Sequence, residues 1–115
     1  MEGAAEYVVA ERAVATFDAL TAVVDERRFA VVRSDPRHLT LAFRATGGAW
    51  SDGMTVTCAV LDAGHGLSKL VLAGVDGADG SLVGLGDWPP SLFADVERRL
   101  RDEARKRGSG DLVRP

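Results

Sequence analysis

The stretch Met54-Thr-Val-Thr-Cys-Ala-Val-Leu61 constrains this chain more than any other. Met54, Val56, Cys58 and Val60 alternate with Thr55, Thr57 and Ala59, and apolar, β-branched residues at period two specify a strand with one buried face and one wet face. A strand of this kind needs antiparallel neighbours to satisfy its backbone groups. The segments on either side supply them: Phe29–Ser34, a turn at Asp35-Pro-Arg-His38, the return strand Leu39–Arg44, and, after a turn at Asp62–Gly66, the strand Leu67–Ala73. Pro36 sets its own φ and disfavours helix at Asp35, so the first turn has a mechanism as well as a composition. Tyr7–Ala10 is a further short β-prone run.

Two segments change period. From Glu11 to Glu26, Val14, Phe17, Leu20, Thr21 and Val24 recur at three- and four-residue spacing, which is one stripe of an amphipathic helix. Arg27 and Arg28 follow it as favourable charges for the negative end of the helix dipole. After Pro89 and Pro90, Ser91 is an N-cap candidate for a second helix whose stripe is Leu92, Phe93, Val96 and Leu100, and Gly108-Ser-Gly110 is read as its stop. Between the last strand and that helix lies the Gly/Asp-rich segment Gly74–Pro90, in which Ser81–Leu85 is a short extended candidate.

The expected order is β-α-β-β-β-β-α, an α+β two-layer sandwich with both helices on one face of an antiparallel sheet. A length of 115 residues fits one domain, residues 1–115, with an ordered core over about 7–107 and a flexible tail over 108–115.

The other sheet face then carries the functional question. Thr40, Ala42, Thr55, Thr57, Ala59, Lys69 and Val71, with Ala73, would line it, and these are small, β-prone and only mildly polar. Such a face can accept a second copy or another protein with little desolvation cost. It is the expected interface.

The element order resembles the TATA-box-binding-protein-like, helix-grip type of fold, and more narrowly small bacterial domains of unknown function built on that plan. The resemblance rests on the helix Val14–Val24, on Phe29-Ala-Val-Val-Arg-Ser-Asp-Pro36, on the threonine-rich strand Met54–Leu61 and on Gly86-Asp87-Trp88 before the last helix. It covers roughly residues 7–105 and implies a curved sheet gripping helices on one face. DNA-binding relatives of that fold carry a duplicated sheet with basic and wedging aromatic residues. This chain has one copy and few such residues on the open face.

Other function classes are weighed by their chemistry. A net charge of -3 gives no general attraction for nucleic acid or an anionic membrane. Arg98, Arg99, Arg101, Arg105, Lys106 and Arg107 are interleaved with Glu97, Asp102 and Glu103 at ion-pairing distances along the second helix. The lone Cys58 excludes an intramolecular disulfide framework and cysteine-rich zinc motifs, and its place on the apolar side predicts an inert thiol. An N-terminus without a basic segment followed by an apolar one points to the cytoplasm.

Asp35-Pro-Arg-His38 and Asp62-Ala-Gly-His65 share the form Asp-x-x-His and occupy turns at one end of the sheet, about 10 Å apart by interstrand spacing. Together Asp35, His38, Asp62 and His65 are weak candidates for a metal site, against the ordinary use of Asp, Gly and Pro in turns. No metal and no cofactor is expected, and no third group orients either histidine for acid-base work. Gly84-Leu-Gly86 lacks the context of a phosphate cradle.

Two readings survive. One is a non-enzymatic protein-interaction module that self-associates or docks a partner through the open sheet face. The other is a small-molecule-binding domain with a pocket between sheet and helices, capped by Trp50 and Trp88.

Overall fold

A computed structural model of the protein describes residues 4–44, 54–76, 82–83 and 89–113. The elements are β1 (Ala4–Val9), α1 (Ala13–Glu26), β2 (Ala30–Asp35), β3 (Thr40–Arg44), β4 (Met54–Gly64), β5 (Leu67–Asp76), β6 (Leu82–Val83) and α2 (Pro89–Val113). The threonine-rich stretch is β4, at the centre of an antiparallel sheet ordered β1-β5-β4-β3-β2. β1 pairs with β5 over Ser68–Ala73, and β6 continues along the same edge of β5 at Gly74 and Val75. The α+β sandwich and the expected order are therefore present, with the extended piece near Ser81–Leu85 realised as β6.

Both helices lie over one face. α1 packs on β3, β4 and β5, and α2 packs on α1 and β1. Between the layers Phe17, Leu20 and Val24 of α1 and Leu92 and Val96 of α2 meet Phe43, Val56, Cys58, Val60, Leu70 and Leu72 of the sheet, all buried. Alternation in β4 is as read: Val56, Cys58 and Val60 point into this layer and Thr57 points out of it.

Several boundaries differ from the sequence reading, each for a physical reason. Val14 was expected on the apolar stripe of α1 but is exposed, and the buried set is Thr16, Phe17, Ala19, Leu20, Val23 and Val24. At about 100° per residue Val14 sits about 120° around the helix from Leu20, while Thr16 lies within about 40°. Thr16 is also drawn inward by a 2.8 Å hydrogen bond to Ser68 Oγ, both residues being fully buried. Helix α2 begins at Pro89, so Ser91 belongs to its first turn and is not the residue before it. Proline is favoured there because the first-turn N–H groups have no intrahelical acceptor. The same helix continues through Gly108-Ser-Gly110 to Val113. Glycine inside a helix costs about 1 kcal/mol relative to alanine but does not by itself end it.

Arg27 serves α2 more than the end of α1. It is the C-cap residue of α1, and its Nε donates to Asp95 Oδ2 at 2.9 Å while Nη2 donates to Ser91 Oγ at 2.9 Å. Glu26 and Arg99 add a second ion pair between the helices. No helix among the described residues is long and apolar enough to cross a membrane.

Candidate functional site

Strand register builds the open face row by row. Arg33, Ala42, Thr57 and Ala73 are neighbours across β2, β3, β4 and β5, and Ala4 on β1 continues the row. Two residues further along, Asp35, Thr40, Ala59, Val71 and Glu6 form the next row. Leu61, Lys69 and Val8 form a third, and Thr55 pairs with Val75 at the opposite end. All seven residues expected to form the interface thus stand on one face: Thr40, Ala42, Thr55, Thr57, Ala59, Lys69 and Val71.

The middle of this face is a shallow depression of about 290 Å³, lined by Thr40, Ala42, Thr57, Ala59, Val71 and Ala73, with Arg33 at its edge. It exists because the central rows carry only one- to three-carbon side chains. Leu41 and Cys58 form part of the floor, since their own side chains are buried in the opposite layer. Thr57 Oγ1 donates to Ala73 O at 3.3 Å, which turns its hydroxyl toward the sheet. Polar and charged groups sit around the rim: Lys69 lies 3.8 Å from Glu6, and Arg33 makes no ion pair among the described residues.

The apolar character extends further than the sequence reading carried it. Val8 and Leu61 flank Lys69 in the third row and are 60% and 52% exposed. The signal for Leu61 was parity, because it continues the series Thr55, Thr57, Ala59. Val8 depended on knowing that β1 joins β5.

The free edge next to this face is blunted. Val32 is an extra residue between Val31, which opposes Phe43, and Arg33, which opposes Ala42. A bulge with adjacent charges and Pro36 discourages edge-to-edge pairing.

The two Asp-x-x-His turns each use their carboxylate locally. Asp35 accepts from the His38 backbone N–H at 3.3 Å through Oδ1, and its Oδ2 lies 2.7 Å from His38 Nδ1. Asp62 Oδ1 accepts from Gly64 N at 2.8 Å, and Gly64 and Gly66 take φ of +80° and +76° on either side of His65. His65 and Asp62 face the start of α1, where they line an open cavity of about 640 Å³ with Arg12, Ala13, Val14, Ala15 and Asp18. Among the described residues no three His, Cys, Asp or Glu side chains gather into a group that could hold a metal. The metal candidates Asp35, His38, Asp62 and His65 therefore form two separate turn motifs, in each of which the carboxylate accepts from a backbone N–H of its own turn.

The His38 hydrogen bond holds the Asp35 carboxyl below its ordinary value, with desolvation opposing it. A carboxylate lowered in the folded state contributes stability above its ordinary pKa and loses it as the pH falls through the lowered value. His38→Ala is expected to return the Asp35 titration toward 3.8, read from the carboxyl carbon shift. An unchanged titration would mean that the turn hydrogen bond does not form in solution.

Cys58 is buried, and desolvation pushes its thiol up to about 12. It is a core residue with no thiolate at neutral pH, as its strand parity implied. Trp50 and Trp88, read as caps of a ligand pocket, lie outside the described residues.

Comparison with known proteins gives a fold and no family. No protein-family model matches the chain, and no curated protein does. Among solved structures the chain is similar to Ara h 8.0201, with 11% identity, a TM-score of 0.55, and 86% of this chain and 96% of that one covered. It is also similar to the di-domain ARO/CYC BexL from the BE-7585A biosynthetic pathway, with 15% identity and a TM-score of 0.50 over 92% of this chain. The chain spans 43% of BexL's length. Together with the sheet and helix arrangement above, these similarities make the architecture a helix-grip-like α+β fold.

Proposed function

We propose that this chain is a non-enzymatic protein-interaction module that self-associates, or docks a protein partner, through the open sheet face. The observation that carries the reading is the apolar depression formed by Ala42, Thr57, Ala59, Val71 and Ala73 at the centre of a face with exposed Val8 and Leu61 beside it. Packing a second sheet there would desolvate almost no charge at the centre, and the charged groups would remain at the rim, which is the usual anatomy of an association surface. The blunted β2 edge supports association by face. A cytoplasmic setting and kinship with small bacterial domains of the same fold belong to this proposal as well.

Light scattering over a dilution series tests it. Wild type should show a dimer, and Thr57→Arg should weaken association at least ~100-fold, because an unpaired charge buried at the centre costs roughly 3 kcal/mol or more. Thermal melting should show the variant folded, since Thr57 is exposed. A wild-type mass that stays monomeric at every concentration would sink self-association.

The small-molecule reading draws support from the fold shared with an ARO/CYC protein. Against it, the layer between sheet and helices is filled by Phe17, Leu20, Phe43, Leu92 and Val96. Tryptophan fluorescence titrated with an apolar probe separates the two readings, since a saturable response lost in Trp50→Phe or Trp88→Phe would favour the pocket.

A further inference from the structure

The rows of the open face suggest how two copies would meet, an inference that rests on the docking-face reading. We infer that the partner is a second copy of this chain, stacked sheet on sheet about a two-fold axis that runs perpendicular to the strands between the Arg33 row and the Asp35 row. That operation exchanges the two rows. Arg33 then faces Asp35 of the second copy, Ala42 faces its Thr40, and Thr57 faces its Ala59.

Charge selects this axis over the obvious alternative. An axis along β4 would keep each row in place and lay β1 over β2, setting Glu6 of one copy against Asp35 of the other. With the perpendicular axis Glu6 faces Ala4 of the second copy and keeps its own Lys69. Arg33, which has no ion pair within the chain among the described residues, gains a carboxylate. Asp35 can provide it, since its side chain remains 42% exposed while bonded to His38. A self-complementary contact in which residue i meets residue j and j meets i is what a two-fold interface requires.

The size fits a weak, reversible dimer. The fifteen positions in the four open-face rows, each about 4.8 Å by 6.8 Å, cover roughly 490 Å² per copy. Doubled, this is about 980 Å², at the low end for a specific interface. The small central residues allow the sheets to approach to the usual ~10 Å at an angle near -30°.

The test is a charge exchange. Arg33→Asp and Asp35→Arg should each weaken the homodimer at least ~10-fold, because each places like charges opposite one another twice. Mixing the two variants in equal amounts should restore a dimer, since one copy then carries two acidic groups and the other two arginines in matching places. Thermal melts confirm that each variant is folded. As a second measurement that leaves no repulsion at the turn, a mixture of Arg33→Cys and Asp35→Cys should be joined into a heterodimer by a short bis-maleimide cross-linker, because facing Cα atoms ~10 Å apart are too distant for a disulfide, with buried Cys58 silent. A wild-type dimer that Thr57→Arg disrupts but whose charge variants fail to rescue one another, with no cross-link, overturns this axis and leaves the docking face intact. A monomeric wild type overturns the second copy as partner.

Discussion

Replacing Phe43 by alanine is expected to remove about 3–5 kcal/mol of stability, the usual cost of deleting a buried phenylalanine ring. Phe43 is fully buried as the next-to-last residue of β3, with its ring stacked on Phe29 at 5.1 Å between centroids. It sits between Val31 on β2 and Val56 on β4, under the helices. The hole left by the ring cannot collapse easily, because the sheet fixes its neighbours on both sides and α1 is tied down elsewhere. Small domains hold roughly 5–15 kcal/mol in total, so the variant should melt much earlier or be partly unfolded at room temperature. Urea denaturation followed by circular dichroism measures the loss. Phe43→Leu should cost distinctly less, and a loss below about 1 kcal/mol for the alanine variant would contradict a packed core at this position.

Thr16→Val is the second large effect, with an expected cost of about 1–3 kcal/mol despite the nearly unchanged shape of the side chain. The hydroxyls of Thr16 and Ser68 lie 2.8 Å apart in a fully buried place, joining the first turn and a half of α1 to the start of β5. Removing one hydroxyl strands the other without water. Removing both, in Thr16→Val with Ser68→Ala, should therefore cost less than the sum of the single changes. Strict additivity in that double-mutant cycle would show that the two hydroxyls are not coupled. The inward place of Ser68 follows from its strand parity with Leu70 and Leu72, but its pairing with Thr16, 52 residues away, has no local signal in the sequence.

Much of the open face was legible for a local reason. A strand's side chains alternate, so Thr55, Thr57 and Ala59 had to lie opposite Val56, Cys58 and Val60 whatever the rest of the chain did. The same parity placed Thr40 and Ala42 opposite Leu41 and Phe43 and kept Cys58 in the core. The extent of the face was less legible. Arg33 reaches the depression only through the register that a bulge at Val32 creates, and Val8 joins it because β1 pairs with β5 across a separation that no local pattern encodes. The two histidine turns show the converse. Their common end of the sheet followed from counting hairpins, but the carboxylates were committed to their own turns, and the second turn faces α1 rather than the first.

By itself the sequence determined the element types, the antiparallel meander from β2 to β5, the inward and outward parity of β3, β4 and β5, and the inertness of the single thiol. Each of these follows from periods and turn residues within a few positions of one another. Only the tertiary structure decided which side of α1 faces the sheet, that Arg27 grips Asp95 from 68 residues away, and that Thr16 and Ser68 share a buried hydrogen bond across 52 residues. It also set the rows that bring Arg33 and Asp35 to the rim of one apolar depression. Those features depend on contacts between segments distant in sequence, whose pairing is chosen by the joint packing of sheet and helices, and no local spacing carries that information.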